Sequence, residues 1–203
     1  MKYYLLGLMI IVCSISTAQS GFSVYLRGSL NYTPMRSLEH DLVQWKITEI
    51  DRFNFSPHFG IKYSINEKHR LYLDAERISA KLSYGPEGFQ NYYTFTGYPV
   101  TVGYEYILYT NSLFKPYIGA GISYLFFNTE RTEWWTGSIE NLPDQGFGME
   151  VKFGSEYRLN GNFFITGEIN YHYLSDMKRN NDRNLNKVNF SGLASSIGIL
   201  YKM

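Results

Sequence analysis

Apolar and polar residues alternate with a period of two along most of this chain. Between 147 and 157, Phe147, Met149, Val151, Phe153 and Tyr157 share one parity, and Gly148, Glu150, Lys152, Gly154 and Glu156 share the other. A strand sends successive side chains to opposite faces, so this segment has one greasy face and one charged or tiny face. An aromatic ring stands at each end of the greasy face. Ten residues at about 3.3 Å each, tilted about 40° from a membrane normal, rise about 25 Å, the height of the apolar band on a membrane-spanning β-barrel.

The same two-sided pattern recurs. Phe22, Val24, Leu26, Leu30 and Tyr32 alternate with Ser23, Tyr25, Arg27, Ser29 and Asn31. Phe55, Phe59, Ile61 and Tyr63 alternate with Ser56, His58, Gly60 and Lys62, and Pro57 within that run predicts a local break in pairing. Further strands are predicted over 92–106, 115–127, 163–173 and about 188–203. In 71–82 the apolar parity switches from Leu71 and Leu73 to Ile78, Ala80 and Leu82, which predicts a bulge near Arg77. That makes eight strands. Short connections at 66–69, 109–112 and 160–162 alternate with longer pieces at 34–52, 85–91, 128–146 and 175–187, and Asn160-Gly161 is a strong hairpin signal. The expectation is an all-β, eight-stranded antiparallel up-and-down transmembrane β-barrel, with short turns and both termini periplasmic and long loops extracellular.

Alternation alone also fits a secreted barrel with a greasy pocket. Two features favour lipid outside. The polar face carries Gly119, Gly121, Gly148, Gly154 and Gly198 where a wetted surface would carry Lys and Glu, and the aromatics sit at strand ends rather than mid-strand. Composition agrees: aromatics are 18% of residues, with 19 Tyr and 14 Phe. Mean hydropathy is −0.26, too polar for a helical membrane protein, and no apolar run reaches the length of about 20 residues that a spanning helix needs. The start reads as a signal peptide over 1–18, with Lys2, an apolar Leu5–Val12 and cleavage near Ala18, and 19–203 forms the barrel domain. The single cysteine, Cys13, leaves with that segment, so thiolate and disulfide chemistry are absent from the mature reading. Removing Lys2 balances basic and acidic residues at 18 each, which gives no electrostatic case for nucleic acid.

An eight-stranded barrel is just wide enough for side chains to fill. Arg27, Lys62, Asp74, Glu76, Glu105, Glu150, Lys152, Glu156, Arg158, Glu168 and His172 are predicted to point inward. Because both signs are present and buried charges survive only when paired, an ionic network is expected as the core. Phe22, Tyr32, Tyr63, Tyr104, Phe147, Tyr157, Phe163, Tyr173 and Tyr201 are expected in the aromatic girdles.

The residues Lys115-Pro116-Tyr117-Ile118-Gly119-Ala120-Gly121-Ile122-Ser123-Tyr124, Tyr98-Pro99-Val100-Thr101-Val102-Gly103-Tyr104 and the closing Gly198-Ile199-Leu200-Tyr201-Lys202-Met203 resemble strands of the small outer-membrane β-barrel proteins of Gram-negative bacteria, the OmpA/OmpX-like group. Met203 stands where that family ends on an aromatic, keeping an apolar side chain of outward parity. The resemblance implies an outer-membrane location, contact with membrane lipids and lipopolysaccharide, and handling by the outer-membrane assembly machinery. It also implies a monomer with an envelope or surface role.

Candidate chemistry is sparse. His40, His58, His69 and His172 include no pair with metal-ligand spacing, so neither metal nor cofactor is expected. A lipid-modifying enzyme would need His172, Ser175 and Asp176 to converge, which nothing in their spacing enforces, and no enzyme is expected. Trp45, Arg131, Trp134 and Trp135 are candidates for contact with a surface ligand, and Lys178, Arg179, Arg183 and Lys187 for lipopolysaccharide phosphates. The function expected is a filled barrel acting through its loops. A narrow porin-like channel is the alternative, ahead of a lipid-modifying enzyme or a secreted lipid-binding barrel.

Overall fold

The structure is a computed structural model that describes residues 21–34, 47–84, 89, 91–110, 113–132, 139–174, 177–178, 187–188 and 191–203. The expected signal peptide and Trp45, Trp134, Trp135, Ser175, Asp176, Arg179 and Arg183 lie outside the described residues. No helix occurs among the described residues. Strands follow in the order β1 (Phe22–Tyr32), β2 (Ile47–Asp51), β3 (Phe53–Ser64), β4 (His69–Glu76), β5 (Ile78–Tyr84), β6 (Asn91–Ile107), β7 (Phe114–Thr132), β8 (Ile139–Asn160) and β9 (Phe163–Leu174). A two-residue pair, β10 (Met177–Lys178) with β11 (Lys187–Val188), precedes the last strand, β12 (Gly192–Lys202). The segments β2 and β3 together make one stave of the wall, and so do β4 and β5. Antiparallel pairing runs from this second stave through β6, β7, β8, β9 and β12 to β1, which pairs back onto β3. The sheet is thus a closed eight-stranded barrel, the one solution that leaves no backbone edge facing lipid. Tight connections gather at one rim, where Gly161 takes a φ of 52° that favours glycine and Lys68 donates its backbone N–H to Asn66 Oδ1 at 2.9 Å.

On the outer face, apolar residues stand exposed over about ten residues per stave. Ile122 is 68% exposed, Val151 57% and Ile197 68%, levels that no water-soluble sheet would show in a continuous band. Aromatic pairs close both ends of it. Phe22 meets Tyr63 at 4.9 Å and Phe163 meets Tyr201 at 5.0 Å near the turn rim, while Tyr32–Phe53 and Tyr124–Phe147 pair at 5.0 and 5.1 Å near the other.

The wall does not end where the apolar band ends. On β7 the outward parity runs Ile118, Ala120, Ile122, Tyr124 and Phe126, then continues as Asn128, Glu130 and Thr132. On β8 it passes from Phe147 to Gln145 and Pro143. The β7–β8 ladder is unbroken from Phe114↔Tyr157 to Thr132↔Ile139. The expected loop over 128–146 is therefore largely strand, and six residues beyond Phe126 lift the wall about 15 Å above the band at a similar tilt. The alternation misled because it tracks the solvent outside the wall: once the strand leaves lipid, its outer face turns polar while its pairing persists. The last strand likewise begins at Gly192 rather than near 188.

The same change of solvent explains the parity switch near Arg77, and the expected bulge there is absent. Ala75↔Val100 and Ile78↔Gly97 lie in one continuous register against β6, with no extra residue at Arg77. Ile78, Ala80 and Leu82 are buried on the same inward parity as Tyr72, Asp74 and Glu76. Above the band, water wets the outside of the wall and apolar residues go in; within it, lipid wets the outside and apolar residues go out. The irregularity lies on the neighbouring stave. Between Asp51↔Lys81 and His58↔Glu76 that stave has two more residues than its partner, around Pro57, whose missing N–H suits a broken ladder.

Candidate functional site

The interior carries the chemistry of this chain, in three levels. Nearest the turn rim, Glu105 is ion-paired with Lys62 at 3.1 Å, Arg70 at 2.7 Å and Lys152 at 3.1 Å, and Glu156 accepts from Arg70 at 2.6 Å and Lys62 at 3.2 Å. Midway, Arg27 bridges Asp74 at 2.5 Å and Glu168 at 2.6 Å. Toward the far rim, His58 Nε2 lies 3.1 Å from Glu76, and His172 lies 3.6 Å from Glu76 and 3.4 Å from Glu150. Among the described residues, the lumen thus sets Arg27, Lys62, Arg70, Lys152 and two histidines against Asp74, Glu76, Glu105, Glu150, Glu156 and Glu168. Nearly matched signs at hydrogen-bond distance are what allow such burial, since an isolated ion would cost several kcal/mol.

Three tyrosines interleave with these ions, each lying over a glycine directly across the ladder. Tyr25 faces Gly60, Tyr72 faces Gly103, and Tyr117 faces Gly154. A Cβ on Gly103 would sit 2.3 Å from Tyr72 Cζ, so only glycine leaves the ring its place. The rings in turn carry cations, with Arg27 4.4 Å from Tyr25, Lys152 3.2 Å from Tyr72 and Lys62 4.4 Å from Tyr117. Tyr72 and Tyr117 donate to Glu150 at 2.9 Å and Glu168 at 2.8 Å. Gly103→Ala is expected to destabilise the barrel by about 1–3 kcal/mol through overpacking against Tyr72. Gly167→Ala, whose nearest neighbour would be 4.0 Å away, should change little. Denaturant titration of the two variants in the same detergent checks the contrast.

Ten of the eleven residues predicted for the lumen lie together there. Arg158 does not: it is exposed at the turn rim, where its Nε donates to the Gly161 carbonyl at 3.0 Å. The strand ends at that turn, so parity no longer forces the side chain inward. Sequence reasoning omitted Arg70, His58, Tyr25, Tyr72 and Tyr117 from the network, although all share inward parity with residues it included. Arg131, expected in a loop, is half-buried on β7 in line with Phe127 and Thr129. The predicted girdle residues are spread over the two ends of the apolar band, joined there by Phe53, Tyr98, Tyr124 and Phe126.

Above the ions apolar side chains dominate the lumen, with Thr129 and Asn91 buried among them. Ile78, Ala80, Leu82, Tyr93, Phe95, Leu125, Phe127 and Leu174 are all buried, with Phe95 stacked on Tyr93 and on Phe127 at 6.0 Å each. On the turn-rim side, Phe164 and Leu200 cluster with Tyr25, whose ring reaches among the ions.

One hydroxyl meets an imidazole: Ser29 Oγ lies 2.7 Å from His58 Nε2, and His58 Nδ1 lies 3.6 Å from Asp74. Ser29 and His58 are each only 1% exposed. The nearby pocket, with room for about one water at 20 Å³, is lined by Asn31, Glu76 and His172 but by neither of them. A serine nucleophile needs access as well as a base, so this contact acts as an interior hydrogen bond. His172, the sequence candidate for catalysis, is held between Glu76 and Glu150 and by Asn170 at 3.0 Å.

A closed barrel with an exposed apolar band, aromatic ends and an ionic interior is an outer-membrane β-barrel protein. The model of the family described as outer membrane protein beta-barrel domain matches residues 5–195, and the chain belongs to that family. No curated protein matches the sequence. Among solved structures, the chain is similar to Neisserial surface protein A, at 21% identity and a TM-score of 0.61 over 91% of this chain and 98% of that one. It is similar to OprG from Pseudomonas aeruginosa at 15% identity and 0.61, over 91% and 97%. The attachment invasion locus protein Ail of Yersinia pestis, in complex with the heparin analogue sucrose octasulfate, matches at 13% identity and 0.51, over 90% and 99%. Identities this low carry the fold alone.

Proposed function

We propose that this protein is a closed-lumen barrel that works at the cell surface through its protruding far rim rather than by conduction or catalysis. The observation that carries the reading is the filling of the lumen. Among the described residues, Arg27, Arg70, Lys62, Tyr25, Tyr93, Tyr117 and Phe95 are the largest fully buried side chains, and they fill the ionic levels and the apolar level above them. The wall that rises about 15 Å above the lipid band supports the second half of the reading, since it raises the loops clear of the membrane. In this orientation the far rim is extracellular and the turn rim, with the chain ends, periplasmic. Signal-peptide cleavage near Ala18 and insertion by the outer-membrane assembly machinery as a monomer complete the proposal.

The surface partner is an extracellular ligand or lipopolysaccharide met by the loops between strands; Ail with its sulfated sugar is a precedent for a barrel of this fold holding a polyanion. The alternative is a narrow channel, which would require the Arg27–Asp74–Glu168 contacts to part. Purified protein in planar bilayers is expected to give a flat, closed baseline over the full voltage range. Steady single-channel openings would overturn the closed lumen and favour the channel.

A further inference from the structure

The turn rim contains a cavity that the filled lumen does not use. It has a volume of about 370 Å³ and is lined by Lys115, Arg158 and Lys202, together with Glu67, Asn162 and Phe164. Three cations and one carboxylate around one opening leave it clearly positive.

The surrounding protein neutralises only part of that charge, through a single long contact to Lys202. Lys202 reaches a carboxylate only at 3.8 Å, and that carboxylate, Glu156, is already engaged by Arg70 at 2.6 Å and Lys62 at 3.2 Å. Lys202 lies 4.3 Å above the Phe164 ring and faces the like charge of Lys115. Among the described residues Lys115 and Arg158 form no ion pair. Arg158 is nonetheless held: its Nε donates to the Gly161 carbonyl at 3.0 Å, which leaves the two terminal nitrogens of the guanidinium free to donate into the opening. Cations gathered against their own repulsion, around a space larger than a water, call for an anion.

The structure assigns this cavity to a phosphate ester whose alcohol carries a hydrogen-bond donor, an ammonium or a hydroxyl. The ammonium groups of Lys115 and Lys202 and the terminal nitrogens of Arg158 supply charge-assisted hydrogen bonds to the phosphate oxygens. Phe164, buried beneath, offers an apolar floor to the carbons of the alcohol. Glu67 accepts from the donor at its far end and disfavours a bare polyanion. The same chemistry occurs in a phospholipid headgroup and in a free phosphorylated alcohol. The site is independent of whether the lumen conducts, so failure here leaves the closed-lumen reading standing, and the reverse.

The test uses the full mature chain folded in a maltoside detergent, which brings no phosphate of its own. Binding of inorganic phosphate, glycerol 3-phosphate and O-phosphoethanolamine is measured by calorimetry at low salt. Saturable binding is expected, tighter for the two esters than for the bare ion. The double variant Lys115→Gln, Arg158→Gln should weaken each by about tenfold or more, through loss of charge-assisted hydrogen bonds. Both positions lie at the rim, and heat-modifiable gel mobility verifies that the variant barrel is closed. As a second variant, Glu67→Gln should tighten inorganic phosphate and erase the preference for esters. Native mass spectrometry of protein extracted from membranes separates the sources: retained phospholipid that the double variant loses marks a lipid headgroup. Binding of the soluble esters without retained lipid marks a free solute. No saturable binding by any probe, or equal binding by the double variant, would overturn the assignment.

Discussion

Glu105→Ala is expected to cost the folded barrel about 3–5 kcal/mol, because it removes the carboxylate shared by three buried cations. Lys62, Arg70 and Lys152 lie at 3.1, 2.7 and 3.1 Å from it, and all four side chains are 0–1% exposed. Water cannot replace the lost charge without opening the interior. The other carboxylate of that level, Glu156, already serves Arg70, Lys62 and Lys202. Breaking a buried pair by removing one partner is far worse than removing both, so Glu105 should outrank any exposed charge in the chain. Lys81→Ala, at an exposed position on β5, is the matched control and should move stability by about 0.5 kcal/mol or less. Urea titration of both variants in lipid vesicles provides the comparison. Similar midpoints for the two would mean that the interior network contributes nothing to holding the barrel shut.

Val151→Arg should cost about 2–4 kcal/mol and cut the yield of inserted barrel, because it places a guanidinium near the midplane of the lipid band. Val151 pairs with Ala120 and Tyr171 within the apolar band of β8, well inside the aromatic ends Phe147 and Tyr157. Gln145→Arg, on the same strand and the same outward parity but beyond Phe147, should cost about 0–1 kcal/mol, since that position lies at or above the interface. The pair of variants locates the upper lipid boundary by energy rather than by pattern. Equal costs would mean that the band does not end at Phe147. A harmless Val151→Arg would remove the lipid-facing assignment altogether.

Within the lipid band, the sequence was legible because a spanning barrel has only one apolar solvent and it lies outside. The period of two on β1, β3, β6, β7, β8, β9 and β12 therefore translates directly into out and in, and even the ionic interior follows. Arg70 and His58 were missed for a local reason. Strand ends drawn from apolar residues stop at Leu71, and His58 beside Pro57 reads as part of a disturbed ladder. Extending the inward parity by one step would have found Arg70, and His58 already shared the polar face of its run with Lys62. Beyond the band the same rule fails, as at Arg77, where a reversal of solvent reads like a bulge, and at Asn128, where it reads like the end of a strand.

The amino-acid order by itself determined a closed, eight-stranded wall with lipid outside and ions within, because hydrophobic periodicity reports the solvent on each face of a strand. Only the tertiary structure decided which ions meet, that Tyr72 rests on Gly103 from the next strand, and that Lys115, Arg158 and Lys202 converge on one opening. Those facts depend on register and closure, which bring residues from distant parts of the chain to within a few ångströms. No local pattern encodes such distances.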